Sequence, residues 1–234
     1  MLPRQLALPF PHAGSHAAED FLEAPSNAAA LAWLADTGAW PQKRLTLFGP
    51  EGAGKTHLLH VWTGRTGALL LDGPGLPALP APGPAAVDDA DLAPERALLH
   101  LLNANAERGH PTLLAARLPP ARWPVALPDL ASRLKSITAA GIAPPEDSLL
   151  RALLARLLSD RQLAVPPAVQ DWLLLHLPRE AAALREAVAR IDRLALAAGR
   201  RVTRALAAQA VSGLVDETSG TADPAPFPSA PALL

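Results

Sequence analysis

Residues 49–56, Gly49-Pro50-Glu51-Gly52-Ala53-Gly54-Lys55-Thr56, carry the pattern GxxxxGK[ST] in full, and with it one kind of chemistry, the cradling of phosphate. Gly49, Gly52 and Gly54 let the backbone turn so that several N–H groups point inward at the positive end of a following helix. Lys55 adds a point charge toward the β- and γ-phosphates of a nucleotide, and the Thr56 hydroxyl is suited to Mg²⁺. Of the 21 basic residues only Lys43, Lys55 and Lys135 are lysines, so a lysine kept inside a glycine turn stands out. Further along, Ala85-Ala86-Val87 ends in Asp88-Asp89. A parallel strand there would bring the Asp88 carboxylate to the Mg²⁺ shell and leave Asp89 to orient or deprotonate an attacking water. Standing alone, such a pair is more often a turn or a helix start, and the glycine loop upstream is what lends it meaning.

Those groups need strands and helices in a fixed order. Arg44 to Phe48 is a short apolar run ending in the loop, and Leu58, Leu59 and Trp62 show helical spacing after it. A short helix from Ala28 to about Leu34 is expected behind a Pro25-Ser26-Asn27 cap. Ala68 to Leu71 and Thr112 to Ala116 read as further strands, and Glu95 to Arg108 as a helix with Leu98, Leu101 and Leu102 on one face. The stretch GPGLPALPAPGP cannot hold a long helix, because proline lacks the backbone donor and clashes with the preceding turn. Strands alternating with helices imply right-handed crossovers and a parallel sheet. After Pro144-Pro145, helical periodicity at Leu149–Leu163, Ala168–Leu177, Ala181–Ala197 and Arg204–Leu214 carries no strand signal.

The expectation is an α/β fold with a parallel sheet flanked by helices, followed by a small all-helical unit. In domains, residues 1–18 read as a flexible arm, 19–143 as the nucleotide-binding α/β unit, 144–214 as a helical lid and 215–234 as a disordered tail. A formal net charge of −1 argues against coating DNA through the overall field. The absence of cysteine excludes disulfides and thiolate metal sites. No segment reads as a membrane span or a secretory signal, so a cytoplasmic protein is expected. The seven histidines show no metal spacing.

Taken in order, Glu19-Asp20-Phe21-Leu22 with Pro25-Ser26-Asn27, then GPEGAGKTHLLH, VDDAD, LPDLASRL and LREAVARIDRLALAAGR resemble the AAA+ core of the DnaA family of replication initiators. The likeness is stronger still to the family's shortened Hda branch, which drives regulatory inactivation of the initiator. It covers about residues 4 to 214. It implies ADP or ATP with Mg²⁺ as ligands, with Phe21, Leu22 and Asn27 in the stretch that encloses the adenine. Ala53 and His57 fall among the cofactor-lining positions, although His57 equally reads as a packing residue. Arg133, in Leu130-Ala131-Ser132-Arg133-Leu134, matches the family's arginine finger, which reaches the γ-phosphate of a neighbour's ATP. Arg185 matches the lid arginine of the sensor 2 motif.

The resemblance also implies partners. Gln5-Leu6-Ala7-Leu8-Pro9-Phe10 is similar to the peptide by which Hda proteins bind the DNA polymerase sliding clamp, with the Gln5 amide, Leu6, Leu8, Pro9 and Phe10 as contacts. The other implied partner is the initiator DnaA itself. No counterpart of the initiator's helix-turn-helix domain is read, so sequence-specific DNA binding is not expected. Where the family often has a polar residue before Pro119-Pro120, this chain reads Leu113-Leu114-Ala115-Ala116-Arg117. An alanine cannot position a lytic water, so intrinsic ATPase activity is expected to be weak. The rival readings are an autonomous ATPase such as a helicase loader and, further off, a small P-loop kinase. Monomer and homodimer both stay open.

Overall fold

The computed structural model describes residues 22–216, and every structural statement below concerns those residues. Phe21, the Gln5–Phe10 peptide, the arm 1–18 and the tail from residue 217 lie outside them.

Five strands form one parallel sheet: β1 (Arg44–Phe48), β2 (Leu69–Asp72), β3 (Ala85–Asp88), β4 (Thr112–Ala116) and β5 (Thr138–Gly141), in the order β2-β3-β4-β1-β5. Side chains alternate across a strand, so each strand feeds two faces. Leu45 and Leu47 of β1 with Leu113 and Ala115 of β4 pack against α1 (Ala28–Ala35) and α2 (Lys55–Thr66). Leu114 and Ala116 point the other way, into a core with Leu98, Leu101 and Leu102 of α3 (Glu95–Arg108) and Leu130 and Leu134 of α4 (Pro128–Ser136). Helices on both faces explain why β4 reads as an unbroken apolar run: all five of its residues are buried. The proline-rich link between β2 and β3 forms no helix, as its composition requires.

Two local expectations need correction. Strand β5 went unread, because Thr138-Ala139-Ala140-Gly141 offers no large apolar residue and only one β-branched residue. Its pairing with β1, Leu45 to Thr138 through Phe48 to Gly141, supplies what its side chains do not. Asn27 precedes α1 but does not cap it with its side chain. Its amide instead accepts from Ala24 N at 2.9 Å and donates to Leu22 O at 2.9 Å, fixing the segment that enters the helix.

The last four helices, α5 (Asp147–Asp160), α6 (Pro167–His176), α7 (Ala181–Ala198) and α8 (Arg204–Asp216), enclose a separate apolar core. α8 runs past Leu214, so the helical part extends slightly beyond the expected start of the tail. The N-terminal segment spans the junction: Ser26 donates from its backbone N and its hydroxyl to the Glu146 carboxylate, at 2.9 and 3.0 Å, and Ser26 O accepts from Ala143 N at 2.9 Å. No helix among the described residues is long and apolar enough to cross a membrane.

Ile191 is fully enclosed in this helical core, whereas Leu175 is 80 % exposed. Ile191→Ala is expected to destabilise the protein by about 2–5 kcal/mol through lost burial and a residual cavity. Leu175→Ala is expected to cost less than about 0.5 kcal/mol. Urea midpoints of the two variants check this; equal midpoints would contradict the packing described.

Candidate functional site

The phosphate loop joins the end of β1 to the start of α2, so its backbone N–H groups lie at the positive end of a 12-residue helix. Two of its glycines have distinct reasons to be glycine. Gly54, the residue before α2, has φ 96°, which side-chain-bearing residues rarely adopt. Gly49 is required by crowding, since a Cβ there would lie 2.2 Å from the Ile142 carbonyl oxygen. β5 and the residue after it therefore press directly on the loop.

Lys55 is 8 % exposed, and its ammonium donates to the Gly49 and Pro50 carbonyls at 2.8 and 2.7 Å. Burial pushes its pKa below the ordinary 10.5; Asp88, Asp89 and Asp91 oppose that fall, while Arg117 adds to it. The loop is thus folded round a partly desolvated cation. The Thr56 hydroxyl donates to Asp88 Oδ2 at 2.7 Å, so the two side chains expected to share a metal are already in contact. A hydroxyl and a carboxylate are hard oxygen donors that fit Mg²⁺, which takes its remaining ligands from phosphate and water. Among the described residues no group of three His, Cys, Asp or Glu is placed to hold a metal ion.

Asp89 follows β3 with φ 45° and ψ 44°, a left-handed conformation that Asp tolerates better than most residues. Burial, then the charges of Asp88 and Asp91, raise its carboxyl pKa above the ordinary 3.8, against the pull of Arg117 and Lys55.

These groups line an open cleft with Glu51, Gly52, Gly54, His57, Arg117, Glu180, Ala181 and Arg185. A second, more apolar pocket adjoins it, where Leu22, Ser26 and Asn27 meet Gly52, Ala53, Gly54 and His57 of the loop and helix, and Leu149, Leu150, Leu153, Ala181 and Arg185 of the lid. Leu22, Asn27, Gly52, Ala53, Gly54, Lys55, Thr56, His57, Asp88, Asp89 and Arg185 are thereby brought together round two joined cavities, and Gly49, at the start of the loop, accepts from Lys55 without lining either. Arg133 is not among them. It lies on α4, close enough to depress the pKa of buried Arg44 after burial itself has done so. Arg44 begins β1 and the loop follows its end, which puts the two about 16 Å apart along the strand.

Glu51, Arg117 and Glu180 line the cleft without having been singled out. Glu180 comes from the turn before α7 and covers the loop so closely that a Cβ on Gly52 would lie 2.4 Å from its Cγ. Nothing in the sequence distinguishes these three from other surface charges. The lid leucines carried only a helix-core signal.

Comparison with known proteins agrees with this architecture. Residues 147–209 match the family model of the Hda lid domain. No curated protein matches the chain by sequence. Among solved structures, domain III of the Thermotoga maritima replication initiation protein DnaA is similar at a TM-score of 0.71 and 17 % identity, over 86 % of this chain and 98 % of that one. AMPPCP-bound DnaA from Aquifex aeolicus gives 0.63 and 15 %, over 80 % of this chain and 67 % of that one. A point mutant of Thermotoga maritima RuvB gives 0.61 and 15 %, over 84 % and 72 %. At these identities the structural likenesses speak for the fold. Taken with the lid match, they show a fold like that of DnaA domain III, ending in a helical part similar to the Hda lid domain.

Proposed function

We propose that the chain is a nucleotide-binding regulator of the initiator DnaA, holding ADP or ATP with Mg²⁺ in the joined cavities above the loop. The observation that carries this reading is the convergence of a buried lysine, a Thr56–Asp88 pair and an apolar pocket on one helix N-terminus. The DnaA structure it resembles from Aquifex aeolicus is AMPPCP-bound, which supports the same ligand class here. The nucleotide-binding unit is residues 19–143, the lid 144–214, the arm 1–18 and the tail 215–234. Leu22, Asn27, Ala53 and His57, with Phe21 before them, face the base. Gly49, Gly52, Gly54 and Lys55 hold the phosphates, Thr56 and Asp88 the metal, and Arg185 closes the site from the lid.

The chain does its regulatory work in trans. The peptide Gln5–Phe10 tethers it to the sliding clamp, and Arg133 is offered to ATP bound by DnaA, stimulating hydrolysis and so limiting initiation. Arg133 lines neither cavity of the chain's own site, which favours a role across a subunit boundary. Strong hydrolysis in cis is disfavoured, because β4 ends in two fully buried alanines and supplies no polar side chain there to orient water. Asp89 is the group left to handle that water.

Lys55→Ala is expected to weaken binding of Mg-ATP and ADP by at least about ten-fold in calorimetric titration, since it removes the buried cation facing the phosphates. Unchanged affinity would refute the site. Arg133→Ala should bind nucleotide as the parent does, yet leave DnaA-bound ATP hydrolysed only at its basal rate when clamp-loaded DNA is present. Full stimulation by that variant would end the trans-finger reading. Gln5→Ala is expected to lose retention on immobilised clamp.

Asp89 gives a pH test. Its folded pKa lies above the unfolded value near 3.8, so its contribution to stability is fully present below that value and is lost as pH rises through the folded pKa. At pH 7 the ionised carboxylate therefore destabilises the fold. Asp89→Asn, which keeps the left-handed backbone accessible, should raise Tm by roughly 1–3 °C at pH 7 and leave it unchanged near pH 3.5. An unchanged or lower Tm at pH 7 would contradict the electrostatics described.

A further inference from the structure

α1 reads Ala-Ala-Ala-Leu-Ala-Trp-Leu-Ala and contains no polar residue. A helix that is apolar all round belongs in a core, yet this one is covered on one side only. Ala30 and Leu34 are buried, whereas Ala29, Ala32 and Ala35 are exposed and Leu31 is half-buried. The outward side borders a groove of about 370 Å³ shared with α2, lined by Leu31, Ala32 and Ala35 of α1 and by Leu58, Val61 and Trp62 of α2. The two helices run in the same direction: Asn27 and Gly54, the residues before them, border one pocket, and Trp62 Nε1 of α2 donates to Thr37 Oγ1, just past the end of α1, at 3.0 Å. The groove therefore has one end at Glu23, ahead of α1, and the other at Arg65, in the last turn of α2. Among the described residues these two are its only charged lining groups.

An apolar groove with charges at its ends alone suits an extended, uncharged peptide with apolar side chains on one side. The chain carries such a segment close by. Leu6-Ala7-Leu8-Pro9-Phe10 has no charged residue, and in an extended conformation Leu6, Leu8 and Phe10 share a side. Leu6 to Phe10 then spans about 13 Å, and the eight residues of α1 measure about 12 Å. Residues 11–22 join the peptide to Glu23, at one end of the groove, and reach up to about 40 Å when extended. A tether of that length presents the peptide to the groove at an effective concentration on the order of millimolar. The chain's own segment therefore has the advantage over a second copy at ordinary protein concentrations.

We propose that Leu6–Phe10 docks in the α1–α2 groove of its own chain, with Leu6, Leu8 and Phe10 covering the outward side of α1. The docking does not depend on the nucleotide reading. A docked peptide is withheld from other partners, the sliding clamp included; that consequence alone rests on the clamp reading above.

The absence of cysteine permits a direct test. Two double variants of the full chain, Leu8→Cys with Ala35→Cys and Leu8→Cys with Ala29→Cys, are incubated with oxidised glutathione, and disulfide closure is followed by mass and by non-reducing gel. Ala35 and Ala29 are both exposed on α1, but Ala35 lines the groove and Ala29 does not. A disulfide needs its two Cα atoms within about 7 Å, so the Ala35 pair is expected to close within one chain at least about ten-fold faster than the Ala29 pair, which shares the same tether. Changing Leu6 and Phe10 to serine in the Ala35 pair should remove that advantage, because it removes the two remaining apolar anchors. Equal rates for the two pairs would overturn the docking, and so would an advantage that survives the loss of Leu6 and Phe10. Disulfides that link two chains instead of closing one overturn it as well, and assign the groove to a second copy.

Discussion

The ammonium of Lys55, drawn out of water into its own turn by two carbonyls, is the interaction round which the rest of the cleft is arranged. Desolvating a cation is costly unless something negative or dipolar repays it. Here the Gly49 and Pro50 carbonyls offset part of the cost, at 2.8 and 2.7 Å, and three aspartates beyond contact distance offset more. The α2 N-terminus faces the same space with N–H groups that the helix itself leaves unpaired. The result is a pocket whose electrostatics are completed by an anion. Gly49 and Gly54 follow from this arrangement, one because the Ile142 carbonyl leaves no room for a side chain and the other because the turn into α2 needs positive φ.

Sheet register carries that local arrangement outward. Because β1 pairs with β4 on one side and β5 on the other, Gly49, Arg117 and Ile142 leave the sheet at one level. β3, next to β4, sets Asp88 at the same edge. Four chain segments far apart in sequence thus deliver their functional groups to one rim without any loop having to reach for the others. The lid completes the enclosure from outside: Glu180 covers Gly52, Arg185 lines both cavities, and Ser26 ties the entry segment to Glu146 at the start of α5. A separate lid core lets this half pack internally, so its position over the loop rests on few contacts.

What was legible beforehand follows the same division. The loop could be read because its chemistry is dictated by backbone conformation, which restricts residue type at nearly every position. The apolar runs of β1 and β4 could be read because burial on two faces forces continuous hydrophobicity. β5 could not, because its place is set by pairing with β1 and by the need for small residues near Phe48. Asn27 holds the N-cap position of α1, as its type suggests, but its amide bridges the turn before the helix instead of capping it. Glu51 and Arg117 are ordinary exposed charges in sequence, and only the register of β1 against β4 makes them neighbours.

Asp89 shows why a site of this kind keeps groups that the fold would be better without. Its backbone is left-handed, its carboxyl is partly desolvated, and two further aspartates stand near it. Each of these raises the energy of the ionised native state. An asparagine would relieve the repulsion at no steric cost, and a glycine would relieve the backbone. That a carboxylate nonetheless occupies the position is explained if its charge, or its ability to accept a proton, is used when phosphate and metal fill the cleft. A nearby cation then offsets the repulsion among the carboxylates, so ligand binding and the local electrostatic strain are coupled by the same three aspartates that oppose the desolvation of Lys55.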